Sequence, residues 1–533
     1  MKTTSFSLFA LALLGAGLSA HAQSPYVGES LNYSRLQFGG PARTQGIAGA
    51  NVALGADFGN LTSNPAGLGL FTKSEFHFSP GIGLGSADAT STGAAQNQTK
   101  NSFHIASAGV VFANRKPDSE ESNWRGSGLA LGFTRLADYN SAFTYSGQVT
   151  DATSFLQRLR EPVGTARPGS GVYQNEVDDI QAQSNRGQYY SLNGLAYGAF
   201  LTSIRLGGTN TNPADTVVIT RELRRSQPAT QAETVTRSGS LSQFDIGYGG
   251  NYQDRLYIGG AIGIVSSNNK QVRDYTETAN TNDLTTSFGT LRLHDEVSTS
   301  GTGINARVGL IYRVADAVRL GASVQTPTYI KFNEAYSTSL ITQFSRPLLI
   351  TYNNGTTQSE NGSTLSLPDG EYAYALTTPF RANVGSAVTF NKQGFLTVDV
   401  EYVGYSQARL SPTPNDVNGT TAGFTDDNQG IRTAYRNTVN LRIGGEARFD
   451  IFRARLGYAR YGDPYQANVI DRTQNFYTAG LGLRQNSFYL DVAGVYATAN
   501  QAYSPYTLSS GQQPVVKVDN SRYTTTVTAG FFF

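Results

Sequence analysis

The 533-residue chain is nearly neutral, with 41 Lys and Arg against 39 Asp and Glu, so its charge makes no electrostatic case for nucleic acid. It carries 30 Tyr, 28 Phe and 58 Gly but a single Trp, and it has no Cys. The missing thiol excludes a disulfide framework, a thiolate metal site and a Cys nucleophile. The first predicted element is a secretory signal peptide over residues 1–22. Lys2 gives a short positive start, Phe6 to Ala20 is apolar or small, and Ala20-His21-Ala22 is an A-x-A cleavage pattern, which places the mature start at Gln23. A membrane anchor helix fits less well, because the apolar run falls short of the ~20 residues needed to span a bilayer.

Residues 23–72 are polar and Gly-rich and show no alternation. They include Arg43-Thr44-Gln45-Gly46-Ile47-Ala48-Gly49-Ala50 and Ser63-Asn64-Pro65-Ala66-Gly67-Leu68. From about residue 73 the pattern changes to period two. Ile304, Ala306, Val308, Leu310 and Tyr312 share one face, opposite Asn305, Arg307, Gly309 and Arg313. Val318, Leu320, Ala322 and Val324 oppose Arg319, Gly321, Ser323 and Gln325, and Val439, Leu441 and Ile443 oppose Asn440, Arg442 and Gly444. Arginine confined to one face separates this pattern from a soluble sandwich. A one-residue slip would push each such Arg into lipid at up to ~2–4 kcal/mol near the midplane. Short turns at 252–255, 315–317 and 391–393 alternate with long connections, the longest spanning 150–237. The last segment places Tyr523, Thr525, Val527, Ala529, Phe531 and the terminal Phe533 on one face.

The reading is an all-β protein: a transmembrane antiparallel β-barrel of about fourteen strands over residues 73–533. Residues 23–72 form an N-terminal hatch or plug inside the lumen, because a barrel of this size is too wide for its own side chains to fill. The expected location is the outer membrane of a Gram-negative cell, with outer-membrane lipid around the barrel. The segment from Leu192 to Ile204 places Leu192, Leu195, Ala196, Ala199, Phe200 and Ile204 at helical spacing within the polar insert. It reads either as an apolar capture surface for amphipathic ligands or as a short helix packing the loop's own core. A lumen arginine can meet a ligand carboxylate through a bidentate pair, with Arg307, Arg319 and Arg442 as candidates; the competing role for each is a structural ion pair. Glu75, His77 and His104 share an inner face, but two His without a third spaced ligand read as polar lumen residues. No G-x-S-x-G elbow occurs. No catalytic residue, metal or cofactor is therefore expected.

The run from Gly46 to Leu68 resembles the N-terminal hatch of the FadL/TodX-type outer-membrane transporters of long-chain fatty acids and aromatic hydrocarbons. Asn64, Pro65 and Ala66 match the hatch motif residue by residue. The likeness continues through Gly303–Arg313, Val318–Ala322, Thr378–Gly385 and Val398–Tyr402 but does not cover the 150–237 insert. It implies passive uptake of a hydrophobic small molecule: capture by extracellular loops, movement of the hatch, and release through a lateral gap beside a kinked third strand, without ATP or proton coupling. The C-terminal strand ending on Phe533 resembles the signal read by the barrel assembly machinery. Asn-Pro-Ala taken alone also resembles the start of barrels in the type IX secretion system. The second reading is accordingly a non-transporting barrel that binds proteins as a secretion or surface-anchoring component.

Overall fold

A computed structural model describes residues 25–117, 119–160, 180–206, 217–220, 223–351, 355–391, 393–413, 423–467, 470–508 and 510–533. The signal-peptide reading lies outside these residues. Among the described residues, nineteen extended segments form one continuous sheet. Four strands are broken in two by short bends, and Thr357–Ser366 only folds back on the end of its neighbour, so fourteen strands cross the barrel. They are β1 (Glu75–Thr90), β2 (Gln96–Arg115), β3 (Trp124–Asp138 and Ser141–Val149), β4 (Ala229–Tyr252), β5 (Leu256–Thr278) and β6 (Phe288–Ala315). Then follow β7 (Val318–Gln325 and Tyr329–Thr351), β8 (Gly370–Thr377 and Arg381–Phe390) and β9 (Gly394–Val403 and Arg409–Pro412). The last five are β10 (Thr438–Phe449), β11 (Phe452–Tyr461), β12 (Gln474–Arg484), β13 (Phe488–Tyr503) and β14 (Val516–Phe532). All pairs are antiparallel. β1 pairs with β14 from Glu75↔Phe532 to Thr90↔Lys517, which closes the sheet and leaves no outer edge strand.

The faces follow the alternation. Val308 is 62% exposed and Leu456 71%, whereas Arg307 is 3% and Arg455 4%. Apolar side chains such as Ile258, Ile262, Ile264, Ile304 and Leu310 form an outer band, and inside it the lumen is lined by Asn305, Arg307, Asp399 and Glu401. This is the inside-out distribution of a bilayer-spanning barrel. Turns at one end are tight, and Gln253, Asp254, Asn391 and Asp450 adopt positive φ there, as hairpin turns require.

Two boundaries differ from expectation. Above the band the strands continue: β5 runs on to Thr278 with Ser266, Asn268 and Lys270 facing outward into water. Apolar alternation marks only where hydrocarbon touches the sheet, while hydrogen-bonded pairing carries on beyond it. For the same reason the large insert begins after Val149 and ends before Ala229, nine residues earlier than the polar composition suggested.

β3 is bent at Asp138, where the resemblance implied a kinked third strand. Only Ser107–Arg115 of β2 pairs with it, so on that side the edge of β2 from Gln96 to Ala106 has no strand partner among the described residues. The cause is local. The register shifts between Arg135 and Ala137, and the Asp138 carboxylate accepts from both the backbone and side chain of Asn140 at 2.8 Å, an Asx turn that swings the chain inward. The upper piece then packs Phe143 and Tyr145 against Ala87, Ala89, Val516 and Val518 on the inner wall.

Face assignment predicts a graded response. Val308→Arg should destabilise the barrel by ~2–4 kcal/mol in urea unfolding from lipid vesicles, whereas Thr302→Arg, outward but above the band, should change it by less than ~1 kcal/mol. Equal effects would contradict the assignment.

Candidate functional site

The N-terminal segment lies against the inward faces of the strands and is held there mainly through its backbone. It contains the helices Pro25–Ser34, Ala42–Gly46 and Asn60–Ser63 and the 3₁₀ turn Pro65–Leu70. Asn64 caps that last turn: its Oδ1 accepts from the Ala66 N–H at 3.2 Å, and Pro65 occupies the position where a missing donor does no harm. The Asn64 Nδ2 donates to the carbonyls of Val52 at 2.7 Å and Leu310 at 3.0 Å, so one side chain joins the segment to itself and to β6. The wall contributes donors in turn. Arg307 reaches the Leu61 carbonyl and Arg319 the Leu54 carbonyl, each at 2.8 Å, and Ser323 reaches Ser63 at 2.7 Å. Asp399 accepts from the Val52 N–H at 2.9 Å. Arg43 lies between Asp57 (3.3 Å) and Glu446 (3.6 Å).

Glycines on the polar strand faces allow this approach. A Cβ at Gly309 would lie 2.0 Å from Asn64 Oδ1, and one at Gly321 would lie 2.4 Å from the Val52 carbonyl. Even alanine is too large at either position.

Beside this packed region the lumen is hollow. A cavity of about 490 Å³ lies between the first helix and the walls formed by β1, β3, β12, β13 and β14. Its lining includes Glu29, Arg35, Asp138, Arg237, Arg472 and Arg522. A smaller hollow of about 70 Å³ shares Gln37, Asp138, Phe476, Val495 and Arg522 with it, and extends to His104 and Ala106 on the unpaired edge of β2. The passage thus leads from the lumen to the bend in β3. There Asp138 pairs with Arg522 at 2.8 Å and Arg135 at 3.3 Å, and accepts from Ser102 of β2 at 3.2 Å. The N-terminal segment touches the same bend, since the Gln37 N–H donates to the Leu136 carbonyl at 2.8 Å.

Burial shifts several groups in the segment, Arg35 and Tyr26 among them. The Arg35 guanidinium is held below its ordinary pKa mainly by desolvation. The Tyr26 phenol is pushed well up by burial and by the neighbouring Glu334 carboxylate, so it stays neutral and donates.

The candidates read from sequence separate from this cavity. Arg307 and Arg319 serve the N-terminal segment. Arg442 pairs with Glu401 at 2.7 Å and lies against the Tyr461 ring. None of the three lines either hollow. Leu195 is fully buried with Phe155, Leu156, Tyr275 and Leu340, so its helix Leu192–Gly198 fills the core of the loop cap and offers no open groove. Phe200 is partly buried beside that core, in the left-handed region at φ 58°. The Ile204 side chain lies outside the described residues. His77 is buried with its Nε2 3.1 Å from Ser107 Oγ, while Glu75 accepts from Tyr489 at 3.4 Å. Among the described residues no group of three His, Asp or Glu is placed to hold a metal ion. Sequence reasoning missed Arg35, Arg472 and the position of the bend at Asp138. The break in alternation at Leu136-Ala137-Asp138-Tyr139-Asn140 is the signal that could have revealed the last.

No protein-family model and no curated protein matches the sequence. Solved structures do. A FadL homologue of Pseudomonas aeruginosa is 10% identical, over 93% of this chain and 98% of its own, with a TM-score of 0.51. The toluene transporters TodX of P. putida (12% identical) and TbuX of Ralstonia pickettii (14% identical) each cover 93% of this chain and 99% of their own, with TM-scores of 0.49. At these identities the likeness to the first establishes a shared fold: the closed fourteen-stranded outer-membrane barrel.

The fit around Asn64 predicts leakage when it is disturbed. Asn64→Ala removes two donated bonds and a cap, and Gly309→Leu forces Asn64 away from the wall. Each should raise the permeability of reconstituted vesicles to a small hydrophilic dye several-fold, with barrel unfolding shifted by no more than ~1–3 kcal/mol. Unchanged permeability in both variants would show that Asn64 does not help to seal the lumen.

Proposed function

We propose that this chain is a non-enzymatic outer-membrane transporter for passive uptake of hydrophobic small molecules, with long-chain fatty acids the expected class. The observation that carries the reading is the hollow leading from the lumen to the unpaired edge of β2 at the bend of β3. The FadL/TodX-like motif at Gly46–Leu68 and the fold shared with a FadL homologue support it.

In this reading residues 23–72 act as the hatch. Ligand enters the cavity beside the helix Pro25–Ser34. Displacement of the segment pulls on the bend through the bond between Gln37 and Leu136, because the two are joined backbone to backbone. A molecule at the β2 edge gains free energy by moving sideways into hydrocarbon at about 25 cal/mol per Å² of apolar surface, so the step needs no ATP. A barrel serving only to bind proteins has no use for an unfilled lumen that leads to its own wall.

The absence of native cysteine makes the route testable. Ser102 and Asp138 touch across the opening, so a Ser102→Cys/Asp138→Cys pair should bridge it on oxidation. Uptake of labelled oleate by cells carrying the wild-type gene should exceed that of cells lacking it. In the oxidised double variant it should fall several-fold and recover with reductant. Full cross-linking with undiminished uptake would rule out the lateral route.

A further inference from the structure

The cavity is more polar than a hydrocarbon requires. Four guanidinium groups, Arg35, Arg237, Arg472 and Arg522, face two carboxylates, Glu29 and Asp138. Arg522 is matched by Asp138 at 2.8 Å and Arg237 more loosely by Glu29 at 3.8 Å. Among the described residues the guanidinium groups of Arg35 and Arg472 form no ion pair, although the Asp463 carboxylate accepts from the Arg472 backbone N–H at 3.1 Å; the two arginines are joined, because the Arg35 Nη2 donates to the Arg472 carbonyl at 2.9 Å. The Arg472 guanidinium is oriented by stacking 4.1 Å from the centre of the Tyr465 ring. Two half-buried cations, side by side and each already oriented, present the planar donor geometry that a carboxylate matches best.

The remaining lining points the same way. Gln37, Gln271, Asn500, Gln501 and Asn520 also line the cavity, besides Asn140, whose amide already donates to Asp138 and to the Gly239 carbonyl. An alkyl chain or arene pressed against them would strip their water and return no hydrogen bond. Apolar residues share the lining, among them Leu31, Ala87, Ala142, Phe476 and Val495, and the last two also border the hollow leading to the bend.

We infer that the cavity takes an amphipathic carboxylate bearing further hydrogen-bonding groups, and not a bare hydrocarbon, with Arg35 and Arg472 meeting the carboxylate and Phe476 and Val495 the apolar part. The inference rests on the transporter reading and narrows it. A site built to hydrogen-bond its ligand rejects the analogue that lacks those groups, since its own polar groups are then left unpaired. Selection between substrates accordingly falls to residues of the N-terminal segment and the 462–473 loop.

The full-length mature barrel in lipid nanodiscs provides the test, with cholate as a hydroxylated carboxylate, oleate as an unadorned one and toluene as a bare hydrocarbon, followed by calorimetry. Cholate should bind saturably, oleate at least tenfold more weakly, and toluene not at all. Arg35→Gln and Arg472→Gln should each weaken cholate binding tenfold or more, while Arg35→Lys retains part of it. Arg472 lies in a loop, so its variant reports on the site even where a change at Arg35 disturbs packing. Saturable toluene binding, or cholate binding unmoved in both Gln variants, overturns the inference and leaves transport intact. Binding by none of the three overturns it too; if uptake of both cholate and oleate is also equal with and without the gene, the transporter reading fails with it.

Discussion

Everything in this molecule follows from the demand that no backbone N–H or C=O meet hydrocarbon unpaired. A sheet satisfies that demand only if its first strand pairs with its last, and the register from Glu75↔Phe532 to Thr90↔Lys517 does this. Closure sorts the side chains. Each residue on one face meets lipid and each on the other meets the lumen, so Val308 and Arg307 are adjacent in sequence and opposite in environment. Among the described residues the rule relaxes along the upper edge of β2, and this coincides with the bend at Asp138 that turns β3 inward.

The lumen arginines have two kinds of work. Arg307 and Arg319 donate to backbone carbonyls of the N-terminal segment, which would otherwise be buried without partners, and Arg442 and Arg455 pair with Glu401 and Glu446. Burying a guanidinium is unfavourable unless it is paired and hydrogen-bonded; Arg307, Arg442 and Arg455 are, whereas Arg319 is held by the Leu54 carbonyl without an ion pair among the described residues. Arg35 and Arg472 differ because they border open volume and their guanidinium groups form no ion pair among the described residues. The same residue type is structural where the lumen is filled and available to a ligand where it is hollow.

Period two made the fold legible. Wherever lipid touches the sheet, as in Ile304–Arg313 and Val439–Phe449, hydrocarbon enforces the alternation, and the fourteen strands follow from it. What stayed hidden has no such enforcement. The strand ends above the band are polar on both faces, so β5 reads as stopping near 268 although its pairing runs to Thr278. The cavity is assembled from positions far apart in sequence, such as Arg35, Asp138 and Arg472, each in a non-periodic stretch. Leu195 was legible as a helix position, but whether an apolar helix face is open or covered depends on partners such as Tyr275 and Leu340 that its own segment does not reveal.

The central claim is the sorting of alternate residues between hydrocarbon and an enclosed interior, and it can be measured directly. With the lone Trp124 replaced by Phe, a single Trp is placed in turn at each position from 304 to 310 of β6, and its fluorescence quenching by brominated lipids is recorded. Strong quenching at 304, 306, 308 and 310 with protection at 305, 307 and 309 is the predicted result. Quenching that is uniform along the strand, or alternates in the opposite phase, would contradict the account.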